Sequence, residues 1–273
     1  MLNTVLPLCA IGLYTVSTGL IAHHISAVSA GNAKSPSIST AFILAWLGTF
    51  VHLVFAYTYC FSNGSLNFSL SSMAVLVSGL MSFIFVLGSL GIPIRRLGIL
   101  VFPLTSASLL FSLFWGKESV SLSGSSSAAS VHIVVSILAY CLLAIAAIQA
   151  LLYVYQERQI KRRATPAMLM ALPPLQTMEL LLFRLIWTGF ALLSLTLLTG
   201  AMFSQEIFGK AFEFNHHTIL ALLGWIVFAI LLLKRTIQGL RGSQAVYWTV
   251  GGFLLIQLGY FGTKIVSETL SVQ

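Results

Sequence analysis

Imidazole is the functional group through which this chain could do chemistry. Its histidines are His23, His24, His52, His132, His216 and His217. Aspartate is absent, and the acidic residues Glu118, Glu157, Glu179, Glu206, Glu213 and Glu268 fall in loops or at the ends of apolar runs. Paired carboxylates for acid–base work are therefore missing from the apolar segments, as is the H-E-x-x-H pattern of a zinc hydrolase. A mid-membrane acid of the kind that proton-coupled carriers use is missing too. Cys9, Cys60 and Cys141 stand singly in apolar stretches, with no C-x-x-C pair, and read as small buried hydrophobes. The chain is not expected to be an enzyme.

A neutral imidazole is a good axial ligand for haem iron, and two can hold it from opposite faces. His132, His216 and His52 are the candidate cofactor ligands, with no metal expected beyond haem iron. Each has a plainer reading beside it. His132 could be a polar helix start, and His216 with His217 a wet interfacial pair. Adjacent helical residues point about 100° apart, so at most one of that pair faces inward. His52 lies within an apolar run, where an imidazole needs a partner, and a hydrogen bond to a neighbouring helix would serve. His23 and His24 read as solvated boundary residues.

The elements that must position these residues are membrane spans. Hydrophobic residues make up 58% of the 273, charged residues 7%, and the mean hydropathy is +0.98. A soluble domain carries about 25% charged residues. Apolar runs at roughly 3–23, 39–60, 70–90, 97–115, 132–155, 180–203, 217–233 and 245–266 predict an all-α, polytopic bundle of eight transmembrane helices. They form a single integral-membrane domain over 1–273. Pro103 is expected to kink the fourth span. No Lys or Arg precedes Lys34, so the first run lacks the charged start of a signal peptide and is expected to stay as a span.

Charge sets the orientation. Lys34, Arg95, Arg96, Arg158, Lys161, Arg162, Arg163, Lys234, Arg235 and Arg241 fall in one set of loops. Only Lys117, Lys210 and Lys264 fall in the other. The positive-inside rule puts the first set in the cytoplasm and both termini outside, on the periplasmic side of a bacterial inner membrane. The net charge of +8 is thus a topological signal and implies no nucleic-acid partner. His132, His216 and His217 come to the outer face, and His52 lies about 12 Å of helix below it, eight residues before Cys60. A haem there would set its ring among apolar side chains and its propionates toward water or Lys117 and Lys210.

The outer loop 117–131 is Ser-rich and expected to be flexible. The loop 156–179 opens basic and turns Met- and Leu-rich, which suits the membrane interface or a cytoplasmic partner. Arg184 is expected to snorkel toward headgroups, with a Glu179 contact possible. Trp225 and Tyr260 read as packing residues, and Gly251, Gly252, Gly259 and Gly262 as points of close helix approach.

Three segments carry a resemblance: "HIVVSILAYCLLAIAAIQALLYVYQERQIK" (132–161), "PPLQTMELLLFRLIWTGFALLSLTLLTGAMF" (173–203) and "HHTILALLGWIVFAILLLKRTIQGLRGSQAVYWTVGGFLLIQLGYFGTKIV" (216–266). Together with "VHLVFAY" around His52 and "LNFSLSSMAVLVSGL" (66–80), they resemble the cytochrome c assembly protein family, nearest its YpjD/HemX-like inner-membrane branch. The resemblance implies membrane haem handling in c-type cytochrome biogenesis, with cytochrome c maturation proteins as partners. It matches His132 to the family's external histidine, His216 to an H-x-T histidine and His52 to a histidine of the second span. The tryptophan-rich segment of the haem-presenting branches has no counterpart in "SQEIFGKAFEFN" (204–215). The alternative implied by a HemX-like relative is a non-enzymatic membrane regulator or scaffold, for example of haem biosynthesis. It would dock a haem-biosynthesis enzyme through the basic 156–179 loop.

Overall fold

The computed structural model describes residues 2–30, 37–62, 65–92, 94–115, 121–122, 127–162, 173–204 and 215–270. Among these, eight helices are long and apolar enough to cross a membrane. With no water in the hydrocarbon layer, a helix is the form that satisfies every backbone group within its own segment. In chain order they are α1 (Leu2–Ser29), α2 (Ile38–Cys60), α3 (Leu70–Gly88), α4 (Gly98–Phe114) and α5 (Ser127–Lys161). Then follow α6 (Leu175–Met202), α7 (His216–Gln238) and α8 (Ser243–Gln257). A π-helical turn over Leu258–Gly262 joins α8 to α9 (Thr263–Leu270), and this continuous rod makes the eighth span.

Local chemistry sets several helix ends. Ser37, Ser69 and Asn215 accept from backbone N–H groups in the first turns of α2, α3 and α7. Gly239 closes α7 at φ 64°, a left-handed conformation that glycine adopts without cost. Three short antiparallel strands, which the sequence did not announce, lie beyond the end of α2: β1 (Phe61–Ser62), β2 (Ser65–Asn67) and β3 (Ser121–Leu122), in that spatial order.

The helices pack as two sets. In the first, α1 lies against α2 and α4, and α3 lies against α2 and α4. In the second, α5 packs on α6 and α8, and α7 on α6 and α8. The seam between the sets is α3 against α5. Aromatic rings fill the first core: Tyr14 stacks on Phe102 at 5.4 Å, and Phe85 and Phe42 pack edge-on to Phe102 at 5.6 and 6.1 Å. Small residues carry the second. A Cβ on Gly189 would meet Leu143 at 2.7 Å, and one on Gly224 would meet Ile256 at the same distance.

Several expectations shift. Serines and alanines extend α5 outward to Ser127, and the Lys161–Glu157 pair at 2.9 Å accompanies its extension through 161. The helix therefore takes up part of each loop expected at 117–131 and 156–179. The remainder of those expectations, with Lys117 and Lys210, falls at 116–120, 123–126, 163–172 and 205–214, outside the described residues. His23 and His24 lie within α1, which runs on to Ser29. α4 continues through Pro103. Cys60 and Cys141 are buried, but Cys9 faces outward. Gly252 meets Phe228 and Val227, and Gly259 meets Leu220, whereas nothing approaches Gly251. Gly262 has only Leu258 of its own segment within 4 Å. Arg184 is exposed as expected, but Glu179 pairs with Arg235 at 2.7 Å and Arg241 at 3.9 Å.

Candidate functional site

The candidate histidines divide between the two helix sets. His52 is fully buried in the first. Its Nε2 lies 3.1 Å from the carbonyl of Val75 on α3, an oxygen that can only accept, so Nε2 carries the ring proton. Its Nδ1 then accepts, and the Tyr14 hydroxyl of α1 stands 3.4 Å away. Tyr14, Thr49 and Ser82 close a ring of hydroxyls beside it, with separations of 3.0 to 3.3 Å. Gly79 leaves room for the imidazole, since a Cβ there would lie 3.3 Å from it. Both ring nitrogens are thus engaged in tying α1, α2 and α3 together. This is the interhelical hydrogen bond that the sequence offered as the plainer reading of His52.

His132, near the start of α5, belongs to the second set and is half-buried against α6. Its Nδ1 lies 3.0 Å from Thr199 Oγ1. The Thr199 hydroxyl donates within its own helix, to Leu195 O at 2.9 Å and Thr196 O at 3.1 Å. Its oxygen can therefore accept from His132, whose ring also bonds to the backbone of Thr196, so α6 holds the imidazole in place. Ligand histidines are oriented by such a hydrogen bond from the distal nitrogen. Gly200 completes the seat, because a Cβ there would stand 3.1 Å from His132 Cε1.

Of the two histidines that open α7, His217 packs against an aromatic ring. Asn215 caps α7 and sets its phase, and His216 and His217 are both exposed in its first turn. The His217 ring meets Tyr260 edge-on at 6.0 Å and lies near enough to His132 for their charges to interact. Tyr260 sits on the π-helical turn, a feature often found at functional sites. From there the aromatic surface continues through Phe261, 5.1 Å from Tyr260, to Tyr140 of α5, 5.8 Å from Phe261. Phe253 of α8 lies 5.4 Å from Tyr140. The structure thus brings His132 and His217 to one aromatic-lined end of the bundle. It does not bring His52 into that group.

Two imidazoles beside an aromatic wall offer nitrogen donors and an apolar surface at this end of the bundle. The description "Cytochrome C assembly protein" belongs to the family whose pattern matches residues 14–271, nearly the whole chain. The chain belongs to the cytochrome c assembly protein family. Inner membrane protein YpjD of Escherichia coli K12 is 31% identical over 181 residues, covering 65% of this chain and 68% of that protein. Cytochrome c biogenesis protein CcsA of Chlamydomonas reinhardtii is 28% identical over 139 residues, 51% of this chain and 38% of its own. An uncharacterized 28.8 kDa protein of Azospirillum brasilense is 32% identical over 139 residues, about half of each chain.

The sequence reading did not single out Thr199, Gly200 or Tyr140, and it named His216 rather than His217 as a candidate ligand. Thr199–Gly200 ends an apolar run and reads there as a helix terminus. Only the packing of α5 on α6 shows that it faces His132.

Proposed function

We propose that this protein binds haem where α5, α7 and the π-helical turn meet, and that it serves c-type cytochrome biogenesis by doing so. Family membership supports the biogenesis role. The observation that supports the site is the His132–Thr199 hydrogen bond, which orients the imidazole at the end of the bundle that also carries His217 and Tyr260. His132 and His217 would hold the iron, and Tyr140, Tyr260, Phe253 and Phe261 would face the ring. Bound haem would supply an iron centre and a vinyl-bearing macrocycle, the precursor of the group that c-type cytochromes carry. The chain's own contribution is to orient the imidazole, exclude water with its aromatic wall and leave the rim open.

The positive-inside rule, applied to the basic residues at the opposite end of the bundle, supports a site on the outer side of a bacterial inner membrane. Such a position suits handover to an extracytoplasmic assembly partner. Purified full-length protein with added haem should give a ligated Soret spectrum. His132→Ala and His217→Ala should each weaken or abolish it, while His216→Ala should leave it intact. Absence of a ligated spectrum in the wild type would end this reading. Loss on His216→Ala but not on His217→Ala would replace the ligand assignment.

A further inference from the structure

Lipid tails are as apolar as leucine, so van der Waals packing and directional contacts decide where one span stands against another. α7 packs chiefly on α8 and touches α6 more sparsely. At the basic end Arg235 of α7 pairs with Glu179 at 2.7 Å and lies over Phe183 at 4.4 Å. At mid-span Trp225 reaches α6. Its ring stacks on Phe190 with centroids 5.4 Å apart, and its Nε1 lies 2.8 Å from Ser194 Oγ. An indole N–H can only donate. The Ser194 hydroxyl spends its proton on Phe190 O at 2.8 Å, which leaves its oxygen to accept. Among the described residues, no other hydrogen bond joins α6 to α7 on the His217 side of this one.

The place of this bond gives it a consequence at the histidines. Ser194 shares α6 with Thr199, which contacts His132, and Trp225 shares α7 with His217. The imidazole seated on α6 and the imidazole carried by α7 are thus referred to each other through Trp225 and Ser194. At about 1.5 Å of rise per residue, His217 stands about 12 Å along α7 from Trp225, so a tilt of about 5° there displaces it by about 1 Å. A working constellation must be held to about 0.5 Å. The π-helical turn braces the first turn of α7 at Leu220, but it does so from the α8 side. Losing the tie to α6 therefore shifts His217 and does not release it. His132 keeps its own seat against Thr199 and Gly200.

We propose that Trp225 is a positioning residue for the haem site. By donating to Ser194 Oγ it sets the spacing of His132 and His217, and so whether bound iron takes one protein ligand or two. This rests on the haem reading above and gives Trp225 a role beyond packing.

Titration of the full-length protein with haem, with spin state read from the Soret and visible bands, tests it. Wild type should be six-coordinate and low-spin. Trp225→Phe keeps a ring against Phe190 and removes the N–H; Ser194→Ala removes the acceptor. Each should leave mostly five-coordinate, high-spin iron and weaken haem binding about three- to tenfold, the scale of one interhelical hydrogen bond in a membrane. The double variant should be no worse than either alone, and free imidazole should restore the low-spin spectrum. Ser194→Ala is the smaller change and carries the test should the tryptophan variant not fold. A second measurement needs no haem. Spin labels at Leu198→Cys and Ile219→Cys, both exposed, in a Cys9→Ser background should give a narrow distance distribution that Trp225→Phe broadens. Low-spin spectra in both variants, with an unchanged distance distribution, would overturn the proposal and leave the haem site standing. A wild type with no ligated haem would overturn both.

Discussion

Replacing Thr199 with valine tests the argument about His132 most directly. Valine preserves the β-branched shape against α5 and removes the oxygen that accepts from His132 Nδ1 at 3.0 Å. The hydroxyl's own donations to Leu195 O and Thr196 O are satisfied within α6, so their loss exposes no new donor. A neutral hydrogen bond contributes about 0.5–1.5 kcal/mol. Losing the group that orients a metal-bound histidine lowers metal affinity about 10–100-fold, or roughly 1.4–2.7 kcal/mol. A hydroxyl is a weaker acceptor than a carboxylate, so about tenfold weaker haem binding is expected. Haem titration followed at the Soret maximum measures it, and Thr199→Ser should retain wild-type affinity. Equal binding by the valine variant and the wild type, with His132→Ala still inactive, would refute the orienting role of Thr199 while leaving His132 as a ligand.

Other consequences concern stability. Tyr14→Phe keeps the stack on Phe102 but removes the hydroxyl that donates to Ser82 and stands beside His52 Nδ1, and should cost about 1–2 kcal/mol in reversible unfolding, given roughly 0.6–1.7 kcal/mol for interhelical hydrogen bonds in membranes. Gly189→Ala drives a Cβ to 2.7 Å from the buried Leu143 and should destabilise the α5–α6 contact by about 1–3 kcal/mol, seen as a lower Tm. Glu179→Gln removes the charge partner of Arg235 at 2.7 Å, in a pair only 15–20% exposed. It should cost about 1.5–3 kcal/mol, and protease cleavage near 239–242 would report the loosened α7–α8 turn.

The spans were legible because lipid imposes one solution: a run of about 20 apolar residues must be helical whatever it packs against. Boundaries failed where polar helix outlasts apolar run, as at Ser127 and Lys161 of α5. The histidines show the limit more sharply. Composition and charge placed His132 and His217 at one end, but choosing His217 over His216 needs the phase of α7, which Asn215 sets by capping it. His52 could not be assigned from sequence, because its partners Tyr14 and Val75 lie 38 and 23 residues away. Gly251 and Gly252 are alike in sequence, yet only the second meets α7.

The π-helical turn at Leu258–Gly262 carries one residue more per hydrogen-bonded ring than the α-helix on either side. That surplus breaks the phase of the eighth span. The backbone at Gly259 rests on the first turn of α7, and the very next side chain, Tyr260, still addresses His217, although neighbours on an α-helix diverge by about 100°. Deleting a single residue here would restore an unbroken α-helix and swing either the glycine contact or the tyrosine away. Evolution could therefore switch this end of the protein between two aromatic surfaces by gaining or losing one codon.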